Sequence, residues 1–429
     1  MSIQEWLKRL FGLERPQPSL PIKAGLYHAM REAGGGYSRF HLRVESDGSG
    51  MLIANAMAAA RLSPSGTVIV KGLLDGKNQA EILDTLTANF KGASEAVMQE
   101  DIAKVNALIE DIATPGDTYP IFNLEDPALS PHTAQLIAPL QAAVPLAPPE
   151  QLVPIIDQLW EVGIPHITLL VPPAPEAAYL IRAVERAEDL GMIAGVRGRA
   201  SDLYQGTLLN DLAQAGVDHV TFIYASDDPA IHDVLCGTGD HAAATTVITW
   251  LEDNQICAVA EIPLIEPTLD TLKDTVNTII AKGADNLSFV AIATTDESPS
   301  DGAFAADAMP QVATLVEETA HEAQARFIWE PPIQRNPAKL LTEQIQEGPR
   351  CSADVAVRVE PDGSVIPPRG PYRSAGNLLH DTWESIWKNE AFKIYRERVE
   401  APTRCDRCPG LTICAADCPR KPAGWSQYA

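Results

Sequence analysis

The stretch Pro149–Tyr224 decides the fold. Its first part, PEQLVPIIDQLWEVGIPHITLLV (Pro149–Val171), sets an amphipathic helix, Pro149–Val162, directly before a Gly and an apolar run. The unit then repeats. Glu176–Leu190 reads as a helix, followed by Gly191 and the run Ile193–Val196. Thr207–Ala215 reads as a helix, followed by Gly216 and the run His219–Tyr224. A Gly after each helix suits a left-handed helix C-terminus. Short apolar runs separated by helices imply parallel strands with helical crossovers.

Working outward, the same alternation spans about Tyr119 to Pro337. Further strand candidates are Pro120–Leu124, Cys257–Leu264, Asn286–Ile292 and Ala325–Trp329. Further helix candidates are Ala242–Asn254 and Thr268–Lys282. The expected fold class is α/β, a parallel sheet closed or partly closed as a TIM-like barrel. Sites on such folds lie at the C-terminal ends of the strands.

Two different regions flank this core. On the N-terminal side, Arg39–Ala54 reads as a hairpin around Asp47-Gly-Ser-Gly50. Three helices follow: Pro64–Leu74 with Ser63 as N-cap and Pro64 at the first helical position, then Gln79–Phe90, then Val97–Ile112. Hairpin plus helices make a small winged-helix-like module. On the C-terminal side, Ala353–Pro367 reads as a second hairpin, and Trp383–Tyr395 as a helix. A cysteine run follows: Cys405, Cys408, Cys414 and Cys418, spaced C-x2-C-x5-C-x3-C. The implied domains are 1–115, 116–340 and 341–429.

The chain has 429 residues and a net charge of −24. That charge repels nucleic-acid phosphate and anionic membrane surfaces. Met1–Leu13 has an apolar helical stripe, which suits packing on its own domain or docking at a surface. It is too short and too charged to span a bilayer. No signal peptide or transmembrane segment is expected, and the expected location is the cytoplasm. Thiols stay reduced there, which favours metal ligation over disulfides. Four closely spaced thiolates suit either a [4Fe–4S] cluster or tetrahedral zinc, and spacing alone does not choose between them.

The C-terminal region resembles a SPASM domain, the auxiliary iron–sulfur module of many radical SAM peptide-modifying enzymes. The resemblance rests on Cys351, then Arg358-Val-Glu-Pro-Asp-Gly363-Ser-Val-Ile-Pro367, then Gly376-Asn377-Leu378, then Trp383-Glu-Ser-Ile-Trp387 and the cysteine run. The middle region is similar to a radical SAM core in its element order. The N-terminal region looks like the PqqD-like module, or RiPP recognition element, on Leu62-Ser-Pro-Ser-Gly66, Leu73-Leu-Asp-Gly76 and Glu81-Ile-Leu83. That resemblance implies a peptide or protein partner held as an added strand on the sheet edge.

The departures matter as much. A radical SAM core carries C-x3-C-x2-C after its first strand, yet this chain has no cysteine before Cys236. The corresponding stretch, Asn123–His132, contains no thiol. The family's Gly-Gly-Glu-Pro, at the end of the second strand, is replaced by Leu170-Val-Pro-Pro-Ala-Pro-Glu176. The expectation is therefore a core without an S-adenosylmethionine cluster. The SPASM-like region is also short of ligands. The family position five residues past Gly363 is Pro368, and only five cysteines, Cys351, Cys405, Cys408, Cys414 and Cys418, are available where two clusters would need eight. One metal site is the most they can form, completed by Cys418, by Cys351 or by a non-Cys ligand. One [4Fe–4S] cluster is expected, with zinc as the alternative.

Other candidates lie at expected strand ends: Arg197, Arg199, Tyr224, Glu261 and Glu330. A Glu inside an apolar strand is costly to bury alone, so Glu261 is expected to meet a polar pocket or an Arg, or to form a structural ion pair. His232-Asp233 reads as a helix-start cap. Cys236 and Cys257 read as inert core thiols. The expected role is accessory or scaffolding in peptide or protein maturation, or in assembly of a larger complex. Two alternatives are an enzyme with a repurposed barrel pocket and a redox-active auxiliary cluster, and a structural subunit with a zinc-bound tail.

Overall fold

In the computed structural model the described residues are 21–33, 36–54, 58–92, 94–113, 137–284, 286–294, 301–305, 308–330, 333–348, 356–367 and 372–392. The N-terminal region forms a four-stranded antiparallel meander: β1 (Gly25–Ala33), β2 (Gly36–Val44), β3 (Gly50–Ala54) and β4 (Ala58–Leu62). The hairpin expected from Arg39–Ala54 is β2–β3, with Phe40 opposite Ala54 and Val44 opposite Gly50. Strands β1 and β4 were not legible, because neither run has a clean apolar alternation.

Three helices follow, α1 (Pro64–Leu74), α2 (Gln79–Asn89) and α3 (Glu95–Ala113). Ser63 caps α1 by accepting the Gly66 N–H, and Asn78 and Glu81 close a capping box on α2. Each cap satisfies backbone donors that a helix start leaves open. Gly72 lets α1 and α2 approach, since a Cβ there would meet Ile82 at 2.7 Å.

The second unit is one large sheet. Its parallel strands are β5 (Gln141–Pro145), β6 (His166–Leu170), β7 (Ile193–Gly198), β8 (His219–Ile223), β9 (Cys257–Leu264) and β10 (Asn286–Thr294), paired in sequence order. Three strands then pair with β10: β11 (Phe304–Ala305), β12 (Arg326–Trp329) and β13 (Ile333–Gln334). The intervening helices are α4 (Pro149–Val162), α5 (Ala177–Asp189), α6 (Leu208–Ala215), α7 (Pro229–Cys236), α8 (Asp240–Asp253), α9 (Leu272–Ala281) and α10 (Met309–Glu322). The glycine stops behave as expected, with Gly163 and Gly216 left-handed at φ 92° and 93°.

At the other edge, β5 pairs in parallel with β14 (Ala356–Val359), which forms a hairpin with β15 (Val365–Ile366). The C-terminal hairpin thus extends the barrel sheet instead of forming a separate layer. The described strands form an open α/β sheet, consistent with a partial barrel. One further helix, α11 (Leu341–Glu347), precedes this hairpin, and α12 (Trp383–Trp387) follows it.

One expected strand cannot be compared, and two expected helices need correction. Pro120–Leu124 and the stretch Asn123–His132 lie outside the described residues. The first described strand of the sheet is Gln141–Pro145, which the sequence hid behind small residues and a proline. The expected helix Thr268–Lys282 is divided into one turn, Glu266–Leu269, and α9. Of the expected helix Trp383–Tyr395, the described α12 covers five residues and stops at Lys388.

Strand alternation sorts the sheet residues. Ala142, Val144, Ile167, Leu169, Ala194, Val196, Val220, Phe222, Ala260, Ile262, Leu287 and Phe289 belong to the main core under the helices. The alternate positions face the concave side of the sheet. They include His166, Thr168, Arg197, His219, Thr221, Glu261 and Ser288, all buried.

Candidate functional site

The C-terminal ends of the strands bring together two of the expected residues. Arg197 ends β7 and Glu261 lies inside β9, so both project onto the concave side. They form a bidentate pair. Arg197 Nε donates to Glu261 Oε2 at 2.9 Å, and Nη2 donates to Oε1. Two carbonyls at the end of α11, Ile345 O and Gln346 O, lie 3.4 Å from the guanidinium. Burial works against the Arg197 charge, but the facing carboxylate outweighs it and holds the guanidinium above its usual value. Gly348 has no room for a side chain, since a Cβ there would come within 2.5 Å of that guanidinium. Helix α11 therefore lies over the pair, with Ile345 packed among Ile223, Leu235, Ile265 and Ile292. Glu330 accepts a 3.4 Å hydrogen bond from Ser288 nearby.

Arg199 belongs to a different network. It donates to both oxygens of Asp202, at 2.5 and 3.0 Å, and to Cys236 O at 3.0 Å. Next to it lie His232, Cys236 and Asp240, whose donor atoms fall within 4.8 Å of one another. The trio resembles a metal-ligand set, but its atoms are already engaged. The Ala225 N–H donates to His232 Nδ1 at 3.2 Å, so the ring proton sits on Nε2, facing Asp240 Oδ2 at 2.9 Å. Asp240 Oδ1 accepts the Ser201 N–H at 2.8 Å. A cation here would break these bonds, so the trio is a hydrogen-bonded brace between α7 and α8. Burial pushes the Cys236 thiol well up, which fits an inert core thiol.

The cap expected at His232-Asp233 is made by Asp233, but for the following helix α8, while α7 is capped by Asp228. Asp228 caps α7 by accepting the Ala230 N–H. Asp233 accepts the Gly239 and His241 N–H groups at the start of α8. Tyr224 is fully buried, with its hydroxyl 3.3 Å from His241 Nε2.

The N-terminal ends of the strands hold a second polar group that sequence reasoning missed. His166 on β6 and His219 on β8 meet with Nε2 atoms 2.7 Å apart, both fully buried. Gly195 on β7 makes the meeting possible, because a Cβ there would fall 2.0 Å from the His219 ring. Burial drives His219 down to about 3 and His166 well below its ordinary value. Among the described residues, His166 Nδ1, Thr168 Oγ1 and Gln141 Oε1 have no hydrogen-bond partner. The available signal was the matching "His" at the first position of two strands.

This same end receives the N-terminal sheet. Arg39 on β2 pairs with Glu188, in the last turn of α5, and with Asp218, just before β8. Buried Arg43 pairs with Glu45 at 2.7 Å and donates to Pro139 O at 2.7 Å and to Ala138 O. Burial raises Asp218 to about 6 despite Arg39.

The expected metal ligands, Cys351, Cys405, Cys408, Cys414 and Cys418, lie outside the described residues. Two open grooves flank the segment between them. One, of about 590 Å³, is lined by Pro154, Asp157, Gln158 and Leu378–Thr382. The other, of about 690 Å³, is lined by Gln151, Glu360–Asp362 and Tyr372. No helix among the described residues is long and apolar enough to cross a membrane.

Comparison with known proteins adds two findings. Residues 351–409 match the SPASM family, an iron–sulfur cluster-binding domain. That segment contains Cys351, Cys405 and Cys408 and ends before Cys414 and Cys418. Among solved structures, the chain is similar to SuiB of Streptococcus suis. The match to SuiB alone has a TM-score of 0.53 at 12% identity, covering 93% of this chain and 98% of that one. SuiB bound to S-adenosylmethionine gives 0.54 at 12% identity, and SuiB bound to the precursor peptide SuiA gives 0.55 at 11%. Each of these covers 94% of this chain and 98% of that one. No curated protein sequence matches the chain. The SuiB likeness concerns the fold. Together with the SPASM match it bears out a radical-SAM/SPASM-like chain of mixed α/β class.

Proposed function

We propose that this chain is a radical-SAM/SPASM-like iron–sulfur protein that has lost S-adenosylmethionine chemistry. In this reading it is an accessory or scaffold partner in cytoplasmic peptide or protein maturation, or in assembly of a larger complex. One observation carries the reading: the sequence holds no thiol before Cys236. The sheet supports it, because β5 passes to α4 through only Leu146, Ala147 and Pro148. A cluster of the radical SAM kind takes three thiolates, and nothing in this part of the chain can supply one. The strand ends support it further. Arg197 and Glu261 neutralise each other under α11, which disfavours a repurposed catalytic pocket there.

The single cluster belongs to the tail. Cys405, Cys408 and Cys414, completed by Cys418 or Cys351, are the soft donor set that a [4Fe–4S] cluster takes. A bound cluster would supply structure or electron storage. Zinc would fit the same thiolates. The N-terminal module, within residues 1–115, is the partner-binding unit. Residues 116–340 are the degenerate core and 341–429 the metal-binding unit. The four-stranded sheet supports a peptide held by strand addition, and SuiB has been crystallised with a precursor peptide.

The test is anaerobic purification followed by incubation with reductant and S-adenosylmethionine. No 5′-deoxyadenosine is expected, and its appearance would overturn the loss of radical chemistry. Iron and acid-labile sulfide in the purified protein are expected. Zinc in their place would favour the structural-subunit alternative.

A further inference from the structure

His41 is the most poorly satisfied side chain in the N-terminal sheet. It is 1% exposed, and among the described residues neither of its ring nitrogens has a hydrogen-bond partner. An unpaired buried polar group is costly, so a side chain left this way invites a ligand. Its cross-strand neighbour is also an imidazole. His28 on β1 is directly opposite His41 on β2. The two ring centroids are 5.2 Å apart, at an interplanar angle of 48°.

That spacing has a chemical meaning. Two imidazoles ligating one ion through Zn–N bonds of about 2.0–2.1 Å, in tetrahedral geometry, place their centroids roughly 5 Å apart. Arg39, two residues from His41 on the same strand face, is held by Glu188 and Asp218. Arg39 is the charged group nearest the two rings and disfavours a cation there, which its pairing with Glu188 and Asp218 offsets in part. A neutral imidazole is the form that binds metal. His28 is the exposed member, so an ion can reach the pair from solvent. The His28 ring is positioned edge-on to Trp160, with centroids 6.4 Å apart. It also lies against Gly191, where a Cβ would come within 2.4 Å of it.

We infer that His28 and His41 form a binding site for a divalent transition-metal ion of the zinc or copper class, with water completing the shell. The site is separate from the tail thiolates and lies where the N-terminal sheet meets α4 and the end of α5. A metal bound there would stiffen the β1–β2 hairpin against the barrel.

The test uses the full chain and zinc chloride alone as the probe. Diethylpyrocarbonate modifies accessible imidazoles, and peptide mapping reads His28 individually, so zinc held by the tail cysteines does not interfere. Saturating zinc is expected to slow carbethoxylation of His28 at least about tenfold in the wild type. His41→Gln should remove that protection. Magnesium, which prefers oxygen ligands, should give none. No protection by zinc, or equal protection in His41→Gln or by magnesium, would overturn the site. Should His41→Gln fail to fold, His28→Asn on the exposed side decides the matter by calorimetry. It should bind one zinc fewer than the wild type, and an equal count would refute the proposal.

Discussion

The two ends of the barrel sheet handle buried polarity in opposite ways. At the strand C-termini, Arg197 and Glu261 bury two full charges and answer each with the other, with α11 carbonyls close by. At the strand N-termini, His166 and His219 stay neutral, share one contact, and leave His166 Nδ1 and Thr168 Oγ1 unanswered. The charged end is locked by strong mutual attraction. The neutral end is held by packing and tolerates incomplete hydrogen bonding. In an enzyme of this fold the strand C-termini hold the site, yet here that end is the more completely self-satisfied one.

The sharpest way to break the contrast is Glu261→Ala. It leaves a buried guanidinium without its counter-charge and should cost about 3–5 kcal/mol. The midpoint of denaturant unfolding reads the loss. The double change Arg197→Met with Glu261→Leu should recover most of it, because the Coulomb gain of a buried pair roughly balances its desolvation.

Acid should act on the other end. His41 and His219 are depressed to about 3 in the fold and return to their ordinary range when unfolded. The unfolded chain therefore binds more protons below about pH 6.5. Stability present above that pH is lost as the pH falls toward 3. Asp218 has the opposite sign. Its folded value near 6 lies above its unfolded value, so it contributes stability at low pH that is lost as the pH rises through 6. At 1.36 kcal/mol per unit and group, His41 and His219 lose about 5 kcal/mol by pH 4.5, depressed His166 adds to that loss, and Asp218 returns about 2. A net loss of at least about 3 kcal/mol is expected from urea titrations at pH 7 and 4.5. His219→Asn should reduce this slope, and an unchanged slope would mean that the histidine pair does not titrate on unfolding.

Arg39→Ala should cost about 2 kcal/mol, since it leaves Asp218 buried without its guanidinium. Because the protonated carboxyl then becomes the better form, the loss should be smaller at pH 5 than at pH 8. The smallest effect belongs to Thr168→Val. Removing an unpartnered hydroxyl should be neutral or stabilise by about 0.5–1 kcal/mol. A clear loss would show that the hydroxyl has a partner and that the neutral end is better satisfied than described.

How much was legible follows from these particulars. Helix α1 could be read closely because Ser63 and Pro64 are local signals, and α4 because its apolar stripe and Gly163 agree. Glu261 announced an unusual environment by being a carboxylate in an apolar run, and its partner Arg197 stood near the end of β7, two strands away. Strand β5 was missed because Gln141-Ala-Ala-Val-Pro145 has neither β-branched density nor alternation, and only its neighbours β6 and β14 make it a strand. The His166–His219 pair was missed for a similar reason. It exists only because two strands separated by Gly195 bring their first residues across the sheet, and that register is not written in either segment alone.

The pairing of β14 with β5 has a consequence in time. Gln141 finds its edge partner at Ala356, 215 positions later (356 − 141). At synthesis rates of about 5–20 residues per second, that partner emerges roughly ten to forty seconds after β5. During that interval the β5 edge is an open row of backbone donors and acceptors, available to any passing strand. The nascent chain is therefore most in need of protection between the birth of its barrel and the arrival of its last hairpin. A chain cut short before Ala356 would keep that vulnerable edge permanently.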